Sequence, residues 1–295
     1  MANYVVSCCS TADLSAEHFA SRDIKVAFFH FNVDGKDYPD DLGVSYPFKK
    51  FYEDMEKGSM TKTSQLSVGE YLDYFTPILQ EGKDILHVTL SSGLSGTINS
   101  ANTAVSILKD KFPERKIYIV DSLGASSGYG LLMDKLADLR DEGMDLDELR
   151  TWAEEHKLEV HHWFFSTDLK YYVRGGRISK TSGFLGNLLH ICPLLNMDEL
   201  GHLVPREKIR TVKKVEKALV EKMVEYCNDG LQYADKVYIS ESNCMDFVNP
   251  VVEMINEKFP NKKGSVEVNS IGTTIGSHTG PGTVALFFWG KKRSN

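Results

Sequence analysis

Apolar and polar residues along the first half of the chain follow two different periods, which predict strands that alternate with helices. Short apolar runs predict strands at 4–7, 24–33, 84–90 and 116–121. Amphipathic stretches predict helices at 15–22, 47–57, 67–80, 97–111, 128–141 and 145–157. Strands separated by helices of this length form right-handed βαβ units. The first half is therefore predicted to be an α/β layer with a parallel sheet.

The second half of the chain has a different pattern, in which strands and helices are mixed. Strands are predicted at 160–167, 236–241, 265–271 and 284–289, and helices at 169–173, 212–227 and 245–258. Gly201 and His202 predict a hairpin turn between two further strands. Such a mixture is typical of an α+β layer. We therefore expect an N-terminal α/β domain at 1–157 and a C-terminal α+β domain at 158–295.

The composition is that of a globular protein and argues against several classes of function. Of the 295 residues, 42% are hydrophobic and 25% are charged, so the chain can form a large buried core. The formal net charge of −7 argues against a nucleic-acid binder, which usually has a basic face. The longest wholly apolar runs, such as 284–289, are far shorter than the ~20 residues of a transmembrane helix. This pattern does not argue against transient contact with a membrane surface.

The cysteines and histidines bear on location and cofactors. The five cysteines include no CxxC pair, and no secretory signal precedes the first predicted strand. This cysteine usage favours the reducing cytoplasm. His161 and His162 are adjacent and lack the HxxxH or paired-cysteine spacing of a metal site. We therefore expect neither a metal nor another cofactor.

Three polar segments, at 61–67, 91–97 and 271–282, lie at predicted strand ends or before predicted helices. In open parallel sheets, ligands bind outside the carboxyl ends of the strands, and free N–H groups at helix starts attract anions. The segments therefore predict an anion-binding crevice. The alternative interpretation is that their serines and threonines only cap the helices that follow.

No familiar catalytic motif is complete in these segments. The sequence around Ser95 resembles a nucleophile elbow but has Thr97 where that motif needs glycine. No P-loop sequence occurs, which argues against ATP binding by that motif. Arg174 and Arg177 flank two glycines and suit a carboxylate or phosphate, although a solvated helix end is an alternative. His278 lies in a predicted glycine-rich turn, where a ligand role and a structural role both stay open.

Six motifs in the same order resemble those of the DegV family, the bacterial fatty-acid-binding proteins that include the acyl-binding subunits of fatty acid kinase. They are STAD at 10–13, TSQLS at 63–67, LSGT at 94–97 followed by SA at 100–101, VDS at 120–122, RGGRIS at 174–179 and GSHTGPG at 276–282. The resemblance covers about 3–291. Leu66 stands where the family usually has proline, which bears on the rigidity of that loop but not on its hydroxyl groups.

The resemblance implies two domains with a fatty acid in a tunnel between them. Thr63 and Ser95 would hold the carboxylate. Other residues would lie near the head group, namely Ser64, Gly96, Thr97, Arg174, Ser277 and His278. Apolar residues expected to wall the tunnel are Phe164, Phe184, Leu188 and Leu195. For the apolar stretch at 183–195, the alternative is plain hydrophobic core.

The resemblance also implies that a second protein carries out the phosphoryl transfer. In fatty acid kinase systems a separate ATP-binding subunit phosphorylates the presented carboxylate, and Arg210 is expected to face that subunit. We therefore expect a cytoplasmic lipid-binding protein, not an enzyme, that binds a long-chain fatty acid of the palmitate or oleate class. The alternative is a stand-alone hydrolase or phosphotransferase that uses Ser95 and His278, for which the sequence offers no identifiable acidic orienting residue.

Overall fold

A computed structural model describes residues 3–178 and 191–294 of the chain. The strands of this part are β1 (Tyr4–Cys9), β2 (Ile24–Ala27), β3 (His30–Val33), β4 (Lys36–Pro39), β5 (Thr61–Ser64), β6 (Asp84–Thr89), β7 (Ile117–Asp121), β8 (Val160–Ser166), β9 (Ile191–Met197), β10 (Leu203–Arg210), β11 (Tyr238–Glu241), β12 (Glu267–Ser270) and β13 (Thr283–Trp289). The helices are α1 (Ala16–Ser21), α2 (Phe48–Glu56), α3 (Val68–Gln80), α4 (Thr97–Lys111), α5 (Ser126–Asp141), α6 (Leu146–His156), α7 (Lys170–Arg174), α8 (Val212–Tyr226), α9 (Met245–Lys258) and α10 (Thr273–Thr279). Helices α4 and α9 begin and end at the predicted residues.

Two large sheets form the layers of the fold. The first is parallel throughout, with the strand order β2-β1-β6-β7. The second has the order β10-β9-β8-β13-β11-β12 and is antiparallel except for the parallel pair β11–β12. The prediction of a parallel α/β layer followed by a mixed one is confirmed. All strands of the first sheet precede Lys157 in the chain, and all strands of the second sheet follow it. The division into domains at this residue stays a prediction.

A third, small sheet with the order β4-β3-β5 is antiparallel, and the sequence pattern does not predict it. The single strand expected at 24–33 is wrong, because β2 pairs with β1 whereas β3 pairs with β5. The chain changes sheet at Phe29, whose N–H donates to Ser10 Oγ at 3.1 Å and whose carbonyl accepts from Asp40 N–H at 2.8 Å. Residues 61–64, expected to form a polar loop, are strand β5 of this sheet.

Helix α5 lies between the two large sheets and contacts strands of both. It packs against β1 of the first sheet and against β8, β11 and β13 of the second. Its buried residues lie on all faces rather than along one stripe, as expected of a helix enclosed by protein. The largest hydrophobic cluster accordingly contains Val6 of the first sheet, Leu136 of α5 and Leu286 of the second sheet. The two sheets therefore share one core.

A cluster of ion pairs attaches α1 and α5 to the edge of the second sheet. His18 on α1 contacts Asp134 on α5 and Glu267 on β12, each at 3.1 Å. Lys236, just before β11, also contacts the buried Asp134 carboxylate. The hydrogen bonds to Asp134 and then to Glu267 raise the pKa of His18 to about 9. His18 is therefore charged at neutral pH and stabilises the folded state.

We expect the free energy of unfolding to fall as the pH rises from 6.5 towards 9. The folded-state pKa of His18 lies above its ordinary value, so the stabilisation is complete below pH 6.5 and is lost through about pH 9. A pKa difference of this size corresponds to at most about 3 kcal/mol. Because His18 is only partly buried, solvent screening reduces the expected loss to on the order of 2 kcal/mol. Urea unfolding near both pH values should show this fall in the wild type but not in His18→Gln. A control, His202→Gln at an exposed histidine, should behave as the wild type; an equal fall in all three proteins would contradict the assignment.

Three further features concern the described residues as a whole. All five cysteines are buried free thiols. No helix in residues 3–178 or 191–294 is long and apolar enough to cross a membrane. In the same two ranges, no group of three or more His, Cys, Asp or Glu side chains is arranged to hold a metal ion.

Candidate functional site

A cavity of about 440 Å³ lies between the carboxyl end of the parallel sheet and the second sheet. Its polar wall residues are Thr63, Ser64, Gln65, Ser95, Ser126, His162, Arg177, Thr274, His278, Thr279 and Thr283. The other wall residues are Phe29, Leu90, Leu94, Gly96, Ala125, Phe164, Tyr172, Met197, Leu203, Ile271, Ile275, Ala285 and Phe287. A mostly apolar cavity of this size with a few polar groups is typical of a small-molecule site.

One polar pair in the cavity wall joins the two halves of the chain. Thr63 on β5 lies opposite Phe31 of β3, and its Oγ1 is 2.8 Å from Nε2 of His278. His278 lies in the last turn of helix α10 and not, as expected, in a glycine-rich turn. At position 175 a Cβ would be 2.3 Å from His278 Nδ1. Gly175 therefore allows the end of α7 to pack directly against the imidazole ring.

His278 is electrically neutral at physiological pH. Burial, followed by the positive charges of Arg177 and Arg174, lowers its pKa to about 3. A neutral imidazole has one N–H and one lone pair, so His278 either donates to Thr63 Oγ1 or accepts from it. When it donates, the Thr63 proton is free for a ligand. The pair can therefore offer one hydroxyl donor to an anion in the cavity.

Ser95 lies in the loop between β6 and α4, and its hydroxyl group already has two hydrogen bonds. Its Oγ donates to Gln65 Oε1 at 2.9 Å and accepts from the Thr97 N–H at 3.2 Å. The second bond satisfies one of the free N–H groups at the start of α4. Ser95 therefore both caps this helix and lines the cavity, so the two interpretations of this serine are compatible.

The loop that carries Ser95 packs against the hairpin turn between β9 and β10. Ser91 Oγ donates to the Gly201 carbonyl at 2.9 Å. A Cβ at Gly93 would lie 2.6 Å from the same carbonyl oxygen, so the close approach requires glycine there. The turn predicted at Gly201 and His202 is confirmed, and Gly201 has a φ of +75°. Contact with this turn fixes the polar loop against the second half of the chain.

Arg177 brings a positive charge to the polar end of the cavity. Its guanidinium group donates to the Gly175 carbonyl at 2.6 Å and to the Leu94 carbonyl at 3.1 Å. These two bonds connect the end of α7 with the loop between β6 and α4. The positive charge of Arg177 also lowers the pKa of His278. An anionic ligand would be attracted to this end.

The remainder of the cavity is mainly apolar and follows strand β13. Thr283, Ala285 and Phe287 alternate along this strand and line the cavity. Ala285 pairs with Phe164 of β8, and Phe287 pairs with His162. Both ring nitrogens of His162 have backbone partners, and burial lowers its pKa, so this histidine is neutral. The distance along the strand from Thr283 to Phe287 is about 13 Å. The cavity thus has a polar cluster around Thr63, Ser95 and Arg177 and a mainly apolar part along β13.

The profile of the family described as "Uncharacterised protein, DegV family" matches residues 8–291. The chain belongs to the DegV family. A DegV domain-containing protein of Clostridium perfringens is 35% identical over 293 residues, which are 98% of this chain and 98% of that protein. The resemblance inferred from the six motifs is therefore confirmed.

Two solved DegV structures have the same fold. One is DegV of Bacillus subtilis, a fatty acid binding protein, with 27% identity, coverage of 99% of this chain and 100% of that one, and a TM-score of 0.84. The other is a DegV family protein of Thermus thermophilus, described by its fatty acid binding, with 25% identity, coverage of 97% and 99%, and a TM-score of 0.86. These likenesses confirm the predicted fold class over nearly the whole chain.

The structure brings six of the residues expected in the DegV site to the wall of one cavity. They are Thr63, Ser64, Ser95, Gly96, His278 and Phe164. The elements that carry them range from β5 to α10, so the sequence gives no local sign of their proximity. Their roles towards a ligand stay predictions.

Two residues expected near the head group point away from the cavity. Thr97 is buried at the start of α4, and its Oγ1 is 2.8 Å from the hydroxyl oxygen of Tyr71. Ser277 donates to the Thr273 carbonyl at 2.8 Å and is absent from the cavity wall. On a helix, neighbouring residues lie about 100° apart around the axis. Thr274, Ile275, His278 and Thr279 share the face of α10 that lines the cavity, and Ser277 lies outside this face.

The other expected residues lie elsewhere. Arg174 is exposed, with its guanidinium group over the Tyr171 ring, and does not line the cavity. Leu195 lies in the hydrophobic core rather than in the cavity wall. Arg210 is exposed at the end of β10. Phe184 and Leu188 lie outside the described residues.

Gln65 is the main wall residue that the sequence analysis missed. It belongs to the TSQLS motif, but only the hydroxyl residues of this motif were considered. Gln65 directly follows strand β5 and the wall residues Thr63 and Ser64. Its place in this motif could have identified Gln65 before the structure.

Proposed function

We propose that this protein binds a long-chain fatty acid of the palmitate or oleate class. The carboxylate would lie at Thr63 and Ser95, and the acyl chain would follow strand β13 past Ala285. The observation that carries the proposal is one cavity whose wall combines the Thr63 and Ser95 hydroxyl groups and the Arg177 guanidinium group with mainly apolar residues along β13. Fatty acid binding by the related DegV proteins of B. subtilis and T. thermophilus supports it.

The energetics of such a ligand match the two parts of the cavity. Burial of each methylene group contributes roughly 0.8 kcal/mol, so a chain of ~16 carbons needs few polar contacts. The carboxylate must exchange its hydration for hydrogen bonds, because an unpaired buried charge is costly. The Thr63 hydroxyl group is a suitable donor when His278 donates to it, and the Ser95 hydroxyl group becomes one when Gln65 no longer accepts its proton. The charge of Arg177 compensates that of the ligand.

The structure gives no support to the alternative of a hydrolase that uses Ser95 and His278. Within the described part of the chain these two side chains share no hydrogen bond, since Ser95 donates to Gln65 and His278 contacts Thr63. A general base works best when its pKa is close to the working pH. The pKa of His278, about 3, lies far below neutrality. We therefore do not propose this activity.

Native mass spectrometry of the protein, purified from cells without added lipid, tests the proposed function directly. We expect adducts whose mass corresponds to C16 or C18 fatty acids, and their loss after delipidation. Titration of the delipidated protein with palmitate should then restore a stoichiometric adduct. Protein that purifies without lipid and also fails to bind palmitate or oleate would contradict the proposal.

We further propose that the protein acts in the cytoplasm and presents its ligand to a separate ATP-binding kinase subunit. The five free cysteines are compatible with a reducing compartment. The chain has no P-loop sequence, so phosphoryl transfer is assigned to the partner. The exposed Arg174 near the polar end, together with Arg210, would contribute to the surface that this partner contacts.

Replacement of Arg210 by alanine should lower acyl-phosphate formation and leave palmitate affinity unchanged. Arg210 lies seven residues along β10 from the wall residue Leu203, which corresponds to about 24 Å. A reconstituted assay with a cognate kinase subunit would measure acyl-phosphate and bound lipid separately. Arg150→Ala, at an exposed arginine on α6, is the control and should change neither. Equal loss of both signals in Arg210→Ala would place this residue in the lipid site instead.

A further inference from the structure

Gln65 forms a hydrogen-bonded bridge between the loop that carries Ser95 and helix α4. Its Oε1 accepts from Ser95 Oγ at 2.9 Å, and its Nε2 donates to Ser100 Oγ at 3.3 Å. The amide lies against Gly96, where a Cβ would be 3.4 Å from Oε1 and 3.6 Å from Nε2. Gln65 is also part of the cavity wall. The side chain is thus positioned to control what Ser95 offers to a ligand.

In this arrangement the Ser95 hydroxyl group cannot donate to a carboxylate. A serine hydroxyl has one proton and two lone pairs. The proton is donated to Gln65 Oε1, and one lone pair accepts the Thr97 N–H at 3.2 Å. What remains for the cavity is a lone pair, which would face the negative oxygen of an anionic ligand. Ser95 therefore needs a different partner for its proton when the ligand binds.

We propose that Gln65 is a positioning residue that turns its side-chain amide when a carboxylate binds and thereby makes Ser95 a donor. This inference rests on the proposed function and extends it to the recognition of the head group. After the turn, Gln65 Nε2 donates to Ser95 Oγ, and the Ser95 proton points to the carboxylate. Both lone pairs of Ser95 are then occupied by N–H groups.

The turned amide keeps its own hydrogen bonds. In the structure, Ser100 Oγ accepts from Gln65 Nε2. After the turn, Ser100 can instead donate its hydroxyl proton to Gln65 Oε1, because a hydroxyl group can donate or accept. The last torsion of glutamine is broad and roughly two-fold, so the two amide orientations differ little in intrinsic energy. The neighbouring Gly96 presents no side chain to the amide. The turn therefore needs no movement of the backbone.

The result is a pair of parallel relays at the polar end of the cavity. His278 donates to Thr63 and Thr63 to one carboxylate oxygen, while Gln65 donates to Ser95 and Ser95 to the other. Each relay begins at a neutral donor, because the pKa of His278 is low and the amide does not ionise. The site would then prefer an ionised carboxylate over an uncharged head group of similar size, such as an alcohol.

The matched variants Gln65→Glu and Gln65→Met test this role at about pH 8, with palmitate and 1-hexadecanol as ligands. Glutamate only accepts hydrogen bonds and keeps the Ser95 proton, so Gln65→Glu should lose more than about tenfold in palmitate affinity. Its affinity for hexadecanol should change by less than about twofold. Gln65→Met has no acceptor for the Ser95 proton and should lose less than about fivefold for palmitate. If Gln65 has only a structural role, both variants should lose affinity for palmitate and for hexadecanol to the same extent. That result would overturn the proposal.

The same measurements in a Ser95→Ala background show whether Gln65 acts through Ser95. The loss caused by Gln65→Glu should be at least about threefold smaller there, because the hydroxyl group under its control is absent. An equal loss in both backgrounds would overturn the relay. Wild-type protein that binds hexadecanol as tightly as palmitate would overturn the inferred preference and leave lipid binding intact. Wild-type protein that binds neither ligand would overturn the proposed function and, with it, this inference.

Discussion

Replacement of Ala285 by phenylalanine should abolish high-affinity palmitate binding and leave shorter fatty acids bound. Ala285 lines the cavity between the wall residues Thr283 and Phe287 of the same strand, and it pairs with Phe164. A phenylalanine ring at this position would occupy the middle of the apolar part. Each excluded methylene costs roughly 0.8 kcal/mol. Exclusion of about five methylenes would weaken palmitate binding by roughly 1,000-fold.

Isothermal titration with octanoate, laurate and palmitate would measure this effect. The smaller change Ala285→Val should give an intermediate loss for palmitate. Octanoate is the internal control, because its short chain needs less of the apolar part and its weaker affinity should survive. Equal affinity for palmitate in the wild type and Ala285→Phe would show that the acyl chain does not follow β13. Thermal unfolding of each variant would show that the fold is retained.

The double variant Thr63→Ala, Ser95→Ala should lower palmitate affinity by about 100-fold or more. Each hydroxyl group is expected to donate one hydrogen bond to the carboxylate, and such a charge-assisted bond contributes about 1.5–3 kcal/mol. The two groups bind the same carboxylate, so their losses need not add. A loss of about 3 kcal/mol or more is expected for the pair. The apolar part of the cavity is unchanged, so weak binding should persist.

A matched control for this experiment is Ser92→Ala. Ser92 is exposed in the same loop as Ser95 and does not line the cavity. Its replacement should leave palmitate affinity within about twofold of the wild type. Fluorescent or calorimetric titration of the wild type, Ser92→Ala, the double variant and both single variants would separate the two contributions. An unchanged affinity in the double variant would exclude Thr63 and Ser95 from the carboxylate site.

The large elements of this fold could be predicted because local chemistry and tertiary structure agree in them. Ser67 and Glu70 form a capping box, with the Glu70 N–H donating to Ser67 Oγ, and α3 begins at the next residue after Ser67. Asp145 and Glu148 form the same arrangement at the start of α6. In both cases the hydrophobic period continues directly from the cap. Such signals act within one turn of helix and do not depend on distant residues.

The small antiparallel sheet could not be predicted, because its strands lack a local signal. Residues 61–64 are polar, and β4 contains a proline, so neither has the alternation of a half-buried strand. Helix α10 contains glycine and three threonines, which have low intrinsic helix propensity. Tertiary contacts override that propensity, since Tyr52 donates to the Ile271 carbonyl and Thr273 donates to the buried Asp40. The mistaken turn at His278 has this cause.

The residue types and their order along the chain were enough to predict which segments form the candidate site. Hydroxyl-rich motifs predict Thr63 and Ser95, and both residues line the same cavity. Thr97 shares a motif with Ser95, and Ser277 shares one with His278, yet both point away, because the direction of a side chain depends on the rotation of its helix. A motif therefore identifies the right segments but not which of their residues reach the ligand.

The position of β13 in the second sheet constrains the order of events during synthesis of the protein. This strand follows β8 and β11 in the chain, yet it lies between them and pairs with both. While the ribosome is still adding residues before Thr283, the strand that connects β8 with β11 is absent. The part of the cavity wall that β13 forms is then missing as well. The nascent chain should therefore acquire its lipid only after β13 has left the ribosome, and until then the unpaired strand edges are a point at which chaperones would bind.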